Sequence, residues 1–167
     1  MVQTAELTEY LTTVYRPDRE YIDGVIEERN LGEYDHANLQ TAIAAWFRAR
    51  MHEWEIRVVV EQRIQVSETR YRVPNVAVFR REQKIEQIFT TPPLIIVEVL
   101  SPEDRLHKVF DRCEDYRRFG AENIWIVSPQ GPKLWIATAA ALIEGGARVS
   151  AGGHSAAYLA LSELELD

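Results

Sequence analysis

The segment Leu94-Ile95-Ile96-Val97-Glu98-Val99-Leu100 constrains this chain more than any other. Apolar residues occupy both phases of its two-residue repeat, so it reads as a strand covered on both faces, which requires a layer packed on each side of a sheet. Within that run stands one carboxylate, Glu98. An ionised group in such a place is costly unless a counter-charge or a cation meets it, so the rest of the chain has to supply a partner.

Length and charge narrow what the partner serves. The 167 residues, 46% of them hydrophobic, suffice for one well-packed domain spanning 1–167 and fall short of two. No apolar run reaches membrane-spanning length, and MVQTAELTEY lacks the basic start and apolar centre of a secretory leader, so a soluble, cytoplasmic protein without a membrane partner is expected. A lone cysteine, Cys113, excludes an internal disulfide framework and a cysteine-based zinc cluster. The net charge of -7 argues against coating nucleic acid by bulk electrostatics, while leaving room for a local basic patch.

Asp23-Gly24 between Ile22 and Val25 suits a tight hairpin turn. Leu39, Ala42, Ile43, Trp46, Phe47 and Met51 recur at helical spacing, which predicts a helix of about five turns over residues 35–54 with Asp35 as its N-cap. A short amphipathic segment carrying Leu7, Leu11 and Val14 precedes them. Strand-like runs follow at IRVVVEQRIQV and YRVPNVAVF, before the Glu98 strand. From residue 104 to 119 a second helix is expected with Leu106, Val109, Phe110, Cys113 and Tyr116 on its buried face and Gly120 as C-cap. Then come the strand NIWIV, a prolyl turn into KLWIA, and short strands ending in LSELEL. The order suits a mixed sheet flanked by helices.

Alternation puts Asn75 near the start of one strand and Glu98 near the end of another. Antiparallel pairing brings the two oxygen-bearing side chains together, whereas parallel pairing offsets them. Together they would make a small oxygen-ligand site of the kind that suits Mg²⁺, which needs only one or two protein carboxylates. Arg105, Lys108 and Arg112, three and four apart, form a cationic stripe beside the apolar face of the second helix; it is either a solvated flank or the source of a counter-charge for Glu98 or a phosphate. Residue by residue, Glu98 reads as a structural ion-pair member or a site carboxylate, and Asn75 as a strand-edge residue or a ligand. His52, His107 and His154 lack metal-ligand spacing, and the four tryptophans sit in periodic segments that favour packing.

The ordered set YIDG, VPNVAVF, PPLIIVEVLSPEDR, DYRRFG and NIWIVSP, from about Tyr21 to Pro129, resembles the Uma-type restriction endonucleases, a branch of the PD-(D/E)XK nuclease superfamily. The resemblance implies a restriction-endonuclease-like α/β fold and a metal-dependent hydrolase of DNA phosphodiester bonds. It implies Mg²⁺ or Mn²⁺ held by residue 75, Glu98 and the backbone carbonyl of Val99, with no small-molecule cofactor. It also implies a phosphate-contacting or catalytic cation at Arg112, with Lys108 one turn earlier as a substitute, and His36 as a wall of the site. The family pattern has aspartate where this chain has Asn75, lysine where it has Arg112, and the superfamily's motif lysine where it has Leu100. Asparagine adds no charge for a cation, and arginine cannot serve as a general base at neutral pH, so weak cation binding and weakened or lost hydrolysis are expected. The two functions carried forward are a DNA-cutting homodimer and a non-catalytic nucleic-acid-binding or assembly module on the same fold.

Overall fold

The computed structural model describes residues 2–30 and 32–167. It is a mixed α/β fold: α1 (Val2–Thr12), the hairpin β1 (Arg19–Ile22) and β2 (Val25–Glu28), α2 (Tyr34–Ala49), β3 (Ile56–Val60), β4 (Ile64–Ser67), β5 (Arg70–Arg72), β6 (Val76–Arg80), β7 (Ile95–Val99), α3 (Leu106–Phe119), β8 (Asn123–Ser128), β9 (Lys133–Ala137), β10 (Leu142–Glu144), β11 (Arg148–Ser150) and β12 (Tyr158–Ala160). A six-stranded sheet in the order β10-β9-β8-β7-β6-β3 forms the centre, and a four-stranded sheet β2-β1-β5-β4 stands beside it.

β7 is the strand with two apolar faces, and all five of its residues are buried. On one face Ile95, Val97 and Val99 join Val76, Val78 and Trp125 against Leu39, Ile43, Trp46 and Phe47 of α2. On the other, Ile96 joins Ala77, Phe79, Ile124 and Ile126 against Val109, Cys113 and Tyr116 of α3. Trp125, 1% exposed, fills the α2 side, and truncating a ring so placed costs about 3–5 kcal/mol. β6 and β7 pair antiparallel with Val76 opposite Val97, whereas β7 and β8 run parallel and are joined through α3. Glu98 therefore sits at the carboxyl end of β7, where pairing changes sense, and crevices outside such strand ends are common ligand sites in α/β sheets.

The Asp23-Gly24 turn has the two positive φ values that its sequence suggests, 49° and 95°. Gly120 ends α3 in the left-handed region at φ 105°, and its N–H caps the carbonyls of Tyr116 and Arg117. Elsewhere the helices differ from the sequence reading. The long helix runs over Tyr34–Ala49 rather than 35–54, and Glu33, not Asp35, is its N-cap. Asp35 lies inside the first turn, where a carboxylate still favours the helix N-terminus. Past Ala49 the chain leaves the helix, but Trp54 packs into the α2 core. Leu106 and Phe110 of α3 do not face the sheet: they are 68% and 47% exposed, because the buried stripe is centred on Val109, Cys113 and Tyr116. Val14 falls after α1 and is exposed, and Leu161–Glu163 of LSELEL forms a 3₁₀ turn rather than a strand.

A buried ionic cluster locks the hairpin and β5 to α3. Arg72, 2% exposed, donates through Nε to Asp115 (2.7 Å), through Nη1 to Glu20 (2.7 Å) and through Nη2 to Asp111 (2.5 Å). The second oxygen of Glu20 accepts the backbone N–H of Val73 at 3.0 Å, fixing the chain two residues before Asn75. Removing the cation alone strands the buried carboxylate of Glu20 and leaves Asp115 to Arg70 (3.0 Å), so Arg72→Met is expected to cost about 3–5 kcal/mol. Arg72→Met with Glu20→Gln and Asp115→Asn is expected to cost less than the single change, since it removes opposing charges together. Urea midpoints with unchanged slopes measure both, and a single-variant loss below ~1 kcal/mol would show the cluster to be dispensable.

Candidate active-site cleft

Three neighbouring strands end at one level. The β3–β6 register sets Val60 opposite Val76, and the β6–β7 register sets Val76 opposite Val97. One residue further on, Glu61, Asn75 and Glu98 stand in a row across the strand ends, with the Glu61 N–H bonded to the Asn75 carbonyl at 3.3 Å. Asn75 and Glu98 line a cleft of about 610 Å³ between the hairpin, the start of α2 and the first two turns of α3.

Asn75 is buried, and both ends of its amide are engaged. Oδ1 accepts the Val99 N–H at 2.8 Å, and Nδ2 donates to Gln40 Oε1 at 3.0 Å and Glu61 Oε1 at 3.2 Å. Two acceptors at the nitrogen and a donor at the oxygen fix the orientation of the amide. His36 Nε2 lies 3.4 Å from Nδ2, and the same ring hydrogen-bonds the Val99 backbone. Burial pushes the imidazole below its ordinary value, which leaves it neutral at pH 7 and able to accept from the amide.

Glu98 is 2% exposed. Its Oε1 accepts the Tyr116 hydroxyl at 2.5 Å, and its Oε2 lies 3.8 Å from Arg112 Nε, an ionic contact rather than a hydrogen bond. Burial raises the carboxyl above the ordinary glutamate value; Arg112, Arg29 and the tyrosine hydroxyl oppose that rise without cancelling it. Arg112 also donates from Nη2 to Asp104 at 3.1 Å, while its buried Nε has no hydrogen-bond partner. Asp104 is itself held by the turn before α3, its other oxygen accepting the Ser101 N–H at 2.8 Å. The SPED turn thus aims Asp104 at Arg112.

The structure brings Asn75, Glu98, Val99, Arg112 and His36 together in the cleft. Lys108 lines the same cleft but stands at its rim, paired with Glu27 of the hairpin at 2.9 Å, and Arg105 is exposed nearby. Sequence reasoning missed Glu61, Gln40, Arg29, Asp104 and the bonding role of Tyr116. For Glu61 a signal existed: it interrupts VVVEQ at the end of an apolar strand, as Glu98 does in IIVEV. Arg29 pairs with Glu61 and lines the cleft beside it.

The divalent cation that the resemblance implies needs oxygen ligands free to turn towards it. Asn75 Oδ1 is committed to a backbone N–H, its other end is a donor, and one oxygen of Glu98 is held by Tyr116. Among the described residues no group of three His, Cys, Asp or Glu side chains is placed to hold a metal ion. As they stand, these side chains do not fit the ion.

Comparison with known proteins agrees with the geometry of the fold. Residues 8–161 match the family model Uma2, described as "Putative restriction endonuclease". A solved structure from Anabaena variabilis, titled a putative nuclease belonging to DUF820, is similar with a TM-score of 0.79 at 20% identity, covering 93% of this chain and 94% of that one. No curated protein matches.

Glu98 binds a proton more tightly folded than unfolded, so its ionisation lowers stability as pH rises from the ordinary value of 4.5 through the raised one. Glu98→Gln keeps an acceptor for Tyr116 and removes that loss. The unfolding free energy of the variant is expected to improve relative to wild type over this rise in pH, measured by denaturant titration at several pH values. A wild type that instead gains on the variant would show that the guanidinium groups outweigh burial.

Proposed function

The chain belongs to the Uma2 family, and from that premise we propose that it is a nuclease-fold protein that holds a DNA backbone in its cleft and hydrolyses it weakly or not at all. Nucleases of this type use divalent cations, which attract the scissile phosphate and activate water. The observation that carries the reading is the state of Asn75. Its amide is spent on Val99, Gln40 and Glu61, so the position that carries a metal-binding aspartate in the family acts here as a strap between strands. Arg112 supports it, since a guanidinium beside Glu98 balances charge and cannot take a proton from water.

The cleft retains the means to grip a phosphate. Arg105 and Lys108 present cationic heads at the rim, and a phosphate that displaces Glu27 from Lys108 gains a partner in a partly exposed setting. Two copies related by a two-fold axis would offer a cleft to each strand of a duplex.

Binding and cutting of duplex DNA, with Mg²⁺ or Mn²⁺ and with chelator, test the proposal. Salt-sensitive binding without metal-dependent cleavage is expected, and Lys108→Ala should lower the salt slope by about one counterion if it holds one phosphate. Efficient cleavage by the wild type that is lost in Glu98→Gln would refute the reading, as would absence of binding at low salt. Asn75→Asp places a carboxylate oxygen where Nδ2 now faces Glu61 at 3.2 Å, so the variant is expected to melt lower with chelator and to gain more from Mn²⁺ than the wild type. Equal metal-induced shifts in the two proteins would remove Asn75 from any account of a lost cation.

A further inference from the structure

Resting on that reading, we propose that Arg29, acting with Arg112, stands where the family's divalent cation would act, as a counter-charge for the row Glu61, Asn75, Glu98. The row carries two carboxylates separated by a neutral amide, and each carboxylate has its own guanidinium: Arg29 pairs with Glu61, and Arg112 meets Glu98. Arg29 also favours the ionised form of Glu98, after Arg112. Glu20 and Asp104 add negative potential, but Arg72 engages the first, while the second bonds Arg112 and the Ser101 turn.

The neutral amide is part of the same device. An aspartate at 75 would make three adjacent carboxylates, a set that the two guanidiniums leave one charge short. Asparagine removes that surplus and donates to Glu61 besides. Arg29 is held for this role by the geometry of its segment: Glu27 is tied to Lys108 and Asn30 donates to Asp104 at 3.4 Å, so residues 27–30 reach from the hairpin to α3 across the cleft mouth. From the same segment Arg29 pairs with Glu61, just after β3. Arg29 is a positioning residue for the two carboxylates.

The assignment predicts that removing Arg29 uncovers a demand for a cation. In thermal unfolding with chelator and with MnCl₂ up to millimolar levels, the wild type should not shift with Mn²⁺. Arg29→Gln should melt lower with chelator and regain ~5–10 °C at saturating Mn²⁺. Arg29→Lys, which keeps the charge, should remain insensitive to the ion, and adding Glu61→Gln to Arg29→Gln should abolish the Mn²⁺ response. Should Arg29→Gln prove too unstable to isolate, the double variant must restore folding without metal, because the charge pair leaves together. An Arg29→Gln protein that is as stable as wild type, one that is insensitive to Mn²⁺, or a double variant that does not fold would overturn the assignment. A wild type that binds Mn²⁺ through Glu98 and cuts DNA would instead overturn the reading on which it rests.

Discussion

The structure depends on the placement of one charge inside a strand that is apolar on both sides. β7 can bury Ile95, Ile96, Val97 and Val99 only if something neutralises Glu98, and the solution lies on the helix that follows it. α3 returns antiparallel to the strand, bringing Tyr116 and Arg112 to the two oxygens of the carboxylate. The same helix covers the sheet through Val109, Cys113 and Tyr116, so core packing and charge compensation are one arrangement. A buried ion contact of this sort adds little net stability against an apolar alternative, yet breaking it from one side is expensive.

The hairpin is held to this core by a second ionic device. Arg72 joins Glu20 of β1 to Asp111 and Asp115 of α3, and the free oxygen of Glu20 carries the tie on to Val73. The approach to Asn75 is therefore defined from the hairpin side before Asn75 makes any bond of its own. Four tyrosines, Tyr10, Tyr15, Tyr21 and Tyr71, pack with ring centroids 5.5 to 6.2 Å apart in a separate cluster between α1 and the smaller sheet.

Much of this was legible in the residues because it is local or periodic. The double-sided strand, the Asp-Gly turn, the Gly120 cap and the Cys113 stripe each follow from a few adjacent positions, whereas the residues left open whether Asn75 comes beside Glu98, a choice made by the antiparallel pairing of β6 with β7. Glu61 was hidden for another reason: its place beside Asn75 depends on β3 being the sheet neighbour of β6, a tertiary fact that no window of sequence contains. Arg29 was hidden in the same way, since its partner Glu61 lies 32 residues away in the sequence. The misplaced Leu106 and Phe110 show a different limit. Helical spacing told which residues share a stripe, but the width of the stripe that the sheet covers is set by how α3 crosses it.

An arginine beside a buried carboxylate differs from a bound ion in being covalently attached. Its effective concentration at Glu98 is set by the 13 residues of chain between them rather than by the surrounding solution. The guanidinium charge in this cleft is consequently present from the moment the chain folds. It does not vary with the supply of magnesium, is not removed by a chelator, and, because a guanidinium keeps its proton throughout the physiological range, is not altered by acidity.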